Sequence, residues 1–191
     1  MKKYVLIILV LFFSNYINAQ DEEADDTSSV SGFISPFFTT TNMIKPCNFF
    51  GGTGALFLNK NIFFGGFGIV MINYFKTDRG IYSGNELDLG CGGLIGGFVF
   101  YPSKKIHPIF TIGAGGGSIS LCDKNKTRIK EAYDDFLFFN GTLEIEYRPI
   151  KNLAIGIGGH YQIISGLKLD GYSENDFCGP GLYFNIKVGV L

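Results

Sequence analysis

The chain ends in Leu182-Tyr183-Phe184-Asn185-Ile186-Lys187-Val188-Gly189-Val190-Leu191. Leu182, Phe184, Ile186, Val188 and Val190 fall on one side, and Tyr183, Asn185, Lys187 and Gly189 on the other. Successive side chains leave a β-strand on opposite faces, so this is a strand with one greasy face and one small or polar face. Two stretches upstream repeat the pattern. Leu153, Ile155, Ile157, Tyr161 and Ile163 oppose Ala154, Gly156, Gly158, His160 and Gln162; Leu137, Phe139, Leu143, Ile145 and Tyr147 oppose Asn140, Thr142, Glu144 and Glu146. Leu87, Leu89, Ile95, Val99 and Tyr101 are read as a fourth greasy face of the same kind.

Moving towards the N-terminus, apolar segments recur between clusters of Lys, Asn, Asp, Pro and Ser, and they predict strands near 30–40, 48–58, 62–75, 86–101, 108–121, 135–147, 153–165 and 180–191. Glycine and phenylalanine occupy both registers of strands one to three and five, so those strands do not declare a face. The links alternate. Those at 59–61, 103–107 and 149–152 are short, whereas those at 76–85, 122–134 and 166–179 are long and polar, with a modest one at 41–47 on the long-link end. Other classes are excluded by composition. The chain is 46% hydrophobic, too apolar for disorder. Its 27 glycines come in pairs and triplets inside apolar stretches without a Gly-X-Y period, which rules out collagen. They also rule out a helical bundle, in which each interior glycine costs about 1 kcal/mol relative to alanine.

A soluble barrel points its apolar face inward, and a membrane barrel points it at lipid. The charges choose. Within the strands the clear charges are only Glu86, Asp88, Glu144, Glu146 and Lys187, too few to keep a soluble barrel dispersed. The greasy face is therefore expected to meet hydrocarbon. Strands of about 10 to 12 residues, tilted by roughly 40°, match a bilayer's apolar band. Tyr74, Tyr101 and Tyr147 mark strand ends at the interface. The fold class is thus an all-β, eight-stranded antiparallel up-and-down transmembrane barrel, with a lumen filled by side chains rather than an open pore.

Lys2 and Lys3 precede an apolar run over 4–13 and a polar stretch ending Ile17-Asn18-Ala19, the layout of a secretory signal peptide over 1–19. Its removal leaves 14 Lys and Arg against 17 Asp and Glu, a net charge of −3. Five of those acids, Asp21, Glu22, Glu23, Asp25 and Asp26, lie in an acidic tail over 20–29, and the barrel spans 30–191. The remainder is near neutral, which excludes a nucleic-acid partner.

The short turns, the long loops, the strand Pro108-Ile-Phe-Thr-Ile-Gly-Ala-Gly-Gly-Gly and the phrase Leu153-Ala-Ile-Gly-Ile-Gly-Gly-His-Tyr resemble small outer-membrane β-barrels of the OmpA and OmpX kind, as found in Bacteroidota-like bacteria. Terminal Leu191 departs from the Phe with which many of them end. The resemblance implies insertion by the outer-membrane assembly machinery, contact with outer-membrane lipids and lipopolysaccharide, periplasmic termini and extracellular long loops. It implies no single activity.

Glu144, Glu146 and Lys187 share the inward phase with His160, Gln162 and Asn185, and Arg148 stands at the turn; they are expected to form a lumenal polar network. His160 is the one histidine placed within a strand. Some barrels of this size modify lipid A, but the deacylase pattern has serine two places after its histidine, where this chain has His160-Tyr161-Gln162. No catalytic set is assigned. Cys47, Cys91, Cys122 and Cys178 contain no C-x-x-C pair, so a zinc site is not expected; export makes disulfides plausible, with Cys91 to Cys122 and Cys47 to Cys178 favoured among three connectivities. Gly51-Gly52-Thr53-Gly54 and 113–117 lack the helix and Gly-Lys-Ser/Thr of a nucleotide loop, so no cofactor is expected. The loop 122–134, with Asp123, Lys124, Lys126, Arg128, Lys130 and Glu131, mixes charges and is a candidate contact for lipopolysaccharide. The expected function is a monomeric structural or surface-interaction barrel; the alternatives are a small channel and a soluble exported barrel that binds an apolar ligand.

Overall fold

The computed structural model describes residues 31–73, 75–77, 84–122 and 128–190. Leader 1–19, tail 20–29 and Tyr74 lie outside these residues. Eight strands form the wall: β1 (Gly32–Asn42), β2 (Pro46–Phe57), β3 (Ile62–Met71), β4 (Glu86–Val99), β5 (Ile106–Cys122), β6 (Arg128–Ile150), β7 (Leu153–Ser165) and β8 (Gly179–Val190). Each pairs antiparallel with the next. β8 pairs back onto β1, from Gly32 opposite Val190 to Thr41 opposite Gly181, and the sheet closes. A two-residue rung, Phe75–Lys76, adds to the start of β4. Closure leaves no row of unpaired N–H and C=O groups, the condition for crossing hydrocarbon with strands.

The greasy face of the last three strands looks outward. Leu143 is 58% exposed, Ile145 50% and Leu182 67%, with Phe184, Ile157 and Ile163 exposed beside them. Strand β4 does the opposite of what its sequence led us to expect. Leu87, Leu89 and Val99 are at most 1% exposed, Cys91 is buried, and the outward residues are Leu94 and Phe98. The reason is position. Leu87 and Leu89 lie at the long-loop end, where residues 166–178 fold over the barrel mouth and give them a dry interior to join.

That interior has three layers. At the short-turn end Phe33, Ala55, Phe63, Val99 and Ile109 form an apolar plug. At the long-loop end Phe49, Leu87, Leu89, Ile119 and Leu121 pack with Leu167, Leu169 and Phe177 of the 166–178 segment to form a dome. Polar side chains fill the middle. The dome is tied down by Gln162, whose Nε2 donates to the Phe177 carbonyl at 2.9 Å, and by Gly166 N–H, which donates to Glu174 Oε1 at 2.7 Å. The loop expected over 122–134 is largely strand instead, since β5 runs to Cys122 and β6 begins at Arg128, with a register shift between Ser120 and Cys122.

Glycine on the inner phase of the wall has a steric cause. A Cβ on Gly93 would run into the Ala114 carbonyl and Gly115 Cα, and one on Gly115 would meet the Gly92 carbonyl. Adjacent strands approach too closely there for any side chain. On the outer phase, Gly52 and Gly68 have nothing within 4 Å of an added Cβ.

Candidate functional site

The lumen brings together most of the residues that the alternation placed there. Lys187 on β8 reaches across to β6, where its Nζ donates to Glu144 Oε1 and, at 2.7 Å, to Glu146 Oε2. Asn185 Nδ2 donates to the other oxygen of Glu144 at 2.8 Å and lies 3.1 Å from Tyr183 Oη. Arg148 donates to Glu146 Oε1 at 3.3 Å. Both carboxylates are at most 3% exposed, so their charges survive burial only through this cationic company. Lys187 also sits 5.4 Å over the Phe33 ring, joining the network to the apolar plug below it.

Sequence reasoning missed His107. It lies in β5 rather than in a turn, and its ring closes the network. Nδ1 is 2.9 Å from the Lys104 carbonyl; Nε2 is 3.0 Å from Glu146 Oε1, at ion-pair distance but off hydrogen-bond geometry. The signal was present, because His107 shares the odd phase of Ile109 and Thr111.

His160 and Gln162 form a second cluster towards the dome. His160 Nε2 is 3.0 Å from both Thr39 Oγ1 and Thr41 Oγ1. Thr39 already donates to the Leu182 carbonyl at 2.7 Å, and Thr41 to Gln162 Oε1 at 3.2 Å. His160 thus holds the two threonine hydroxyls of β1 together and also bonds the Thr40 backbone. His160 is buried on the lumenal side of β7.

Between the clusters is a cavity of about 50 Å³, lined by Ser35, Thr39, Thr53, Asn140, Thr142 and Tyr183 among others. Asn140 Oδ1 has no protein partner. The space suits a few water molecules and is far below the several hundred Å³ of a ligand pocket.

The two proposed disulfides are not formed: Cys47, Cys91 and Cys178 are free thiols. Cys91 lies opposite Gly117, whereas Cys122 lies opposite Glu86. The offset along the strand is about 16 Å, more than twice the span of a disulfide. Cys47 is paired with β1, and β1 stands between it and β8, an inter-strand distance of about 10 Å. Cys178 turns to β7 instead and accepts from Ile164 N–H at 3.3 Å. Among the described residues no group of three or more His, Cys, Asp and Glu side chains could hold a metal.

A closed eight-stranded antiparallel wall, apolar outside and charged within, is the architecture of the small transmembrane barrels. The chain superposes on three solved structures of small outer-membrane eight-stranded barrels. Neisserial surface protein A matches with a TM-score of 0.62 at 12% identity, over 84% of this chain and 97% of that one. The N-terminal β-barrel domain of Pseudomonas aeruginosa OprF matches at 0.56 and 10% identity, over 84% and 99%. Ail, the attachment invasion locus protein of Yersinia pestis, in complex with the heparin analogue sucrose octasulfate, matches at 0.52 and 12% identity, over 85% and 99%. No protein-family model matches the chain, and no curated protein sequence does.

Proposed function

We propose that this chain is a small barrel of the bacterial outer membrane with a structural or surface-interaction role and a closed lumen. In this reading it is exported by leader 1–19 and inserted by the outer-membrane assembly machinery, with its termini and short turns in the periplasm and its long links outside, in contact with lipopolysaccharide. The observation that carries it is the reversed wall: bulky apolar side chains face out while Glu144, Glu146 and Lys187 are paired inside, between an aromatic plug and a dome. The small size of the lumenal chamber, about 50 Å³, supports this reading over the channel and apolar-ligand alternatives. The resemblance to Bacteroidota-type barrels belongs to the same proposal.

The Ail structure is a complex with the heparin analogue sucrose octasulfate. At the long-loop end of this chain the described side chains mix signs, with Lys45, Lys76 and Lys168 beside Glu86, Asp134, Asp135 and Glu174. The test is twofold. Fractionation should place the protein in the outer membrane with gel mobility that changes on boiling, and planar bilayers should show no single-channel current. Release without detergent would support the soluble alternative. A current altered by substitution at Glu144 or Lys187 would establish the channel.

A further inference from the structure

The three short turns have a composition in common. The β2–β3 turn carries Lys60, the β4–β5 turn Lys104 and Lys105, and the β6–β7 turn Lys151, all exposed, and no Asp or Glu occurs in any of them. Arg148 points inward to Glu146, so the outward cations are these four lysines. The links at the opposite end mix signs, with Lys45, Lys76 and Lys168 among Glu86, Asp134 and Glu174. The lysines therefore form a ring of one sign at one rim of the barrel.

A second feature of the same turns points to the occupant. Leu58 is exposed beside Lys60, Tyr101 three residues from Lys104, and Ile150 next to Lys151, with Tyr147 exposed on the wall just above. Exposed apolar and aromatic groups alternating with lysine are what a bilayer interface selects: the ring or alkyl group enters the acyl boundary while the ammonium reaches up to phosphate. A solvated rim would have no use for the apolar members, and a soluble anion would have no contact with them.

We propose that this rim is a binding collar for the anionic headgroups of phospholipids, in the leaflet that meets the short turns. The inference rests on the reading of the chain as a membrane barrel; in the orientation proposed above, the leaflet is the periplasmic one. An interfacial lysine raises the preference for an anionic surface about fivefold when fully engaged. Four of them around the rim make the barrel's two ends unequal in lipid preference, which biases the direction in which it sits in an asymmetric bilayer. The acidic tail 20–29 joins β1 at the same end and is the competing occupant.

The chain contains no tryptophan, so one introduced indole reports on its own surroundings. Tyr147→Trp at the collar and Tyr161→Trp nearer the other end would each be reconstituted as the full mature chain in phosphatidylcholine bilayers containing brominated phosphatidylglycerol or brominated phosphatidylcholine. Heat-modifiable mobility of the same samples tests insertion separately. If inserted protein shows quenching about three- to tenfold more effective by the anionic lipid at Tyr147→Trp, near-equal quenching at Tyr161→Trp, and loss of the difference on changing Lys60, Lys104, Lys105 and Lys151 to Gln, the collar is established. Inserted protein with equal quenching at both positions, or a preference that survives the four substitutions, overturns it. A preference that emerges only after Asp21, Glu22, Glu23, Asp25 and Asp26 are neutralised also overturns it, by assigning the collar to the chain's own tail. Protein that never inserts sinks the membrane reading itself.

Discussion

Glu86-Leu87-Asp88-Leu89 on β4 and Leu143-Glu144-Ile145-Glu146 on β6 are nearly the same peptide, two acids alternating with two aliphatics, yet they face opposite ways. On β6 the acids go in, to Lys187, and the aliphatics go out. On β4 the leucines join the dome and the acids stand on the outer surface. Alternation fixes that a strand has two unlike faces; it does not fix which of them turns to the axis. The surroundings decide that. At the level of β6 the lumen supplies Lys187 for the two acids, while at the start of β4 the folded-over segment makes the inside dry. The inner face of the wall is thus apolar at both ends, in the plug and in the dome, and polar between them.

The comparison can be broken by substitutions that act on one face only. The largest effect is expected from the wall itself: Gly93→Val, which drives a side chain into the Ala114 carbonyl, should abolish the heat-modifiable form, whereas Gly68→Val, on the open outer phase, should retain it. Lys187→Met leaves Glu144 and Glu146 buried without their shared cation and should destabilise the inserted barrel by about 3–5 kcal/mol in urea titrations. Adding Glu144→Gln and Glu146→Gln should recover part of that loss. Leu89→Ala opens a hole in the dome and should cost about 2–5 kcal/mol in detergent and bilayer alike. Leu143→Ala, at a lipid-facing position, is expected to cost about 1–2 kcal/mol, because acyl chains flow into the space. If the Leu89 and Leu143 variants exchanged magnitudes, the two environments would be assigned the wrong way round.

How much of this was readable in the chain differs strand by strand. β6, β7 and β8 were legible in both existence and direction, because bulky aliphatics alternate with residues too polar for lipid. β2, β3 and β5 hid their faces. Glycine has no side chain to show a preference, and in these strands it serves two causes: close strand approach on the inner phase, as at Gly115, and open surface on the outer phase, as at Gly52. The polar network was legible as far as its members lay in clean strands. His107 was lost because it sits one residue before the expected start of β5. The dome was invisible for a deeper reason. Leu167, Leu169 and Phe177 are isolated apolar residues in a polar link, and only the closed sheet beneath them provides something to pack against. The cysteine pairing failed on register, which no spacing along the chain reveals.

The central claim is that the bulky face of the last three strands lies in hydrocarbon. Phe184→Trp, the single indole in an otherwise tryptophan-free chain, tests it in reconstituted bilayers with lipids brominated at mid-chain and with iodide in the water. Strong quenching by the bromines with none by iodide is the predicted result. An indole that iodide reaches, or that neither quencher touches because it is sealed in a dry barrel core, would contradict the account.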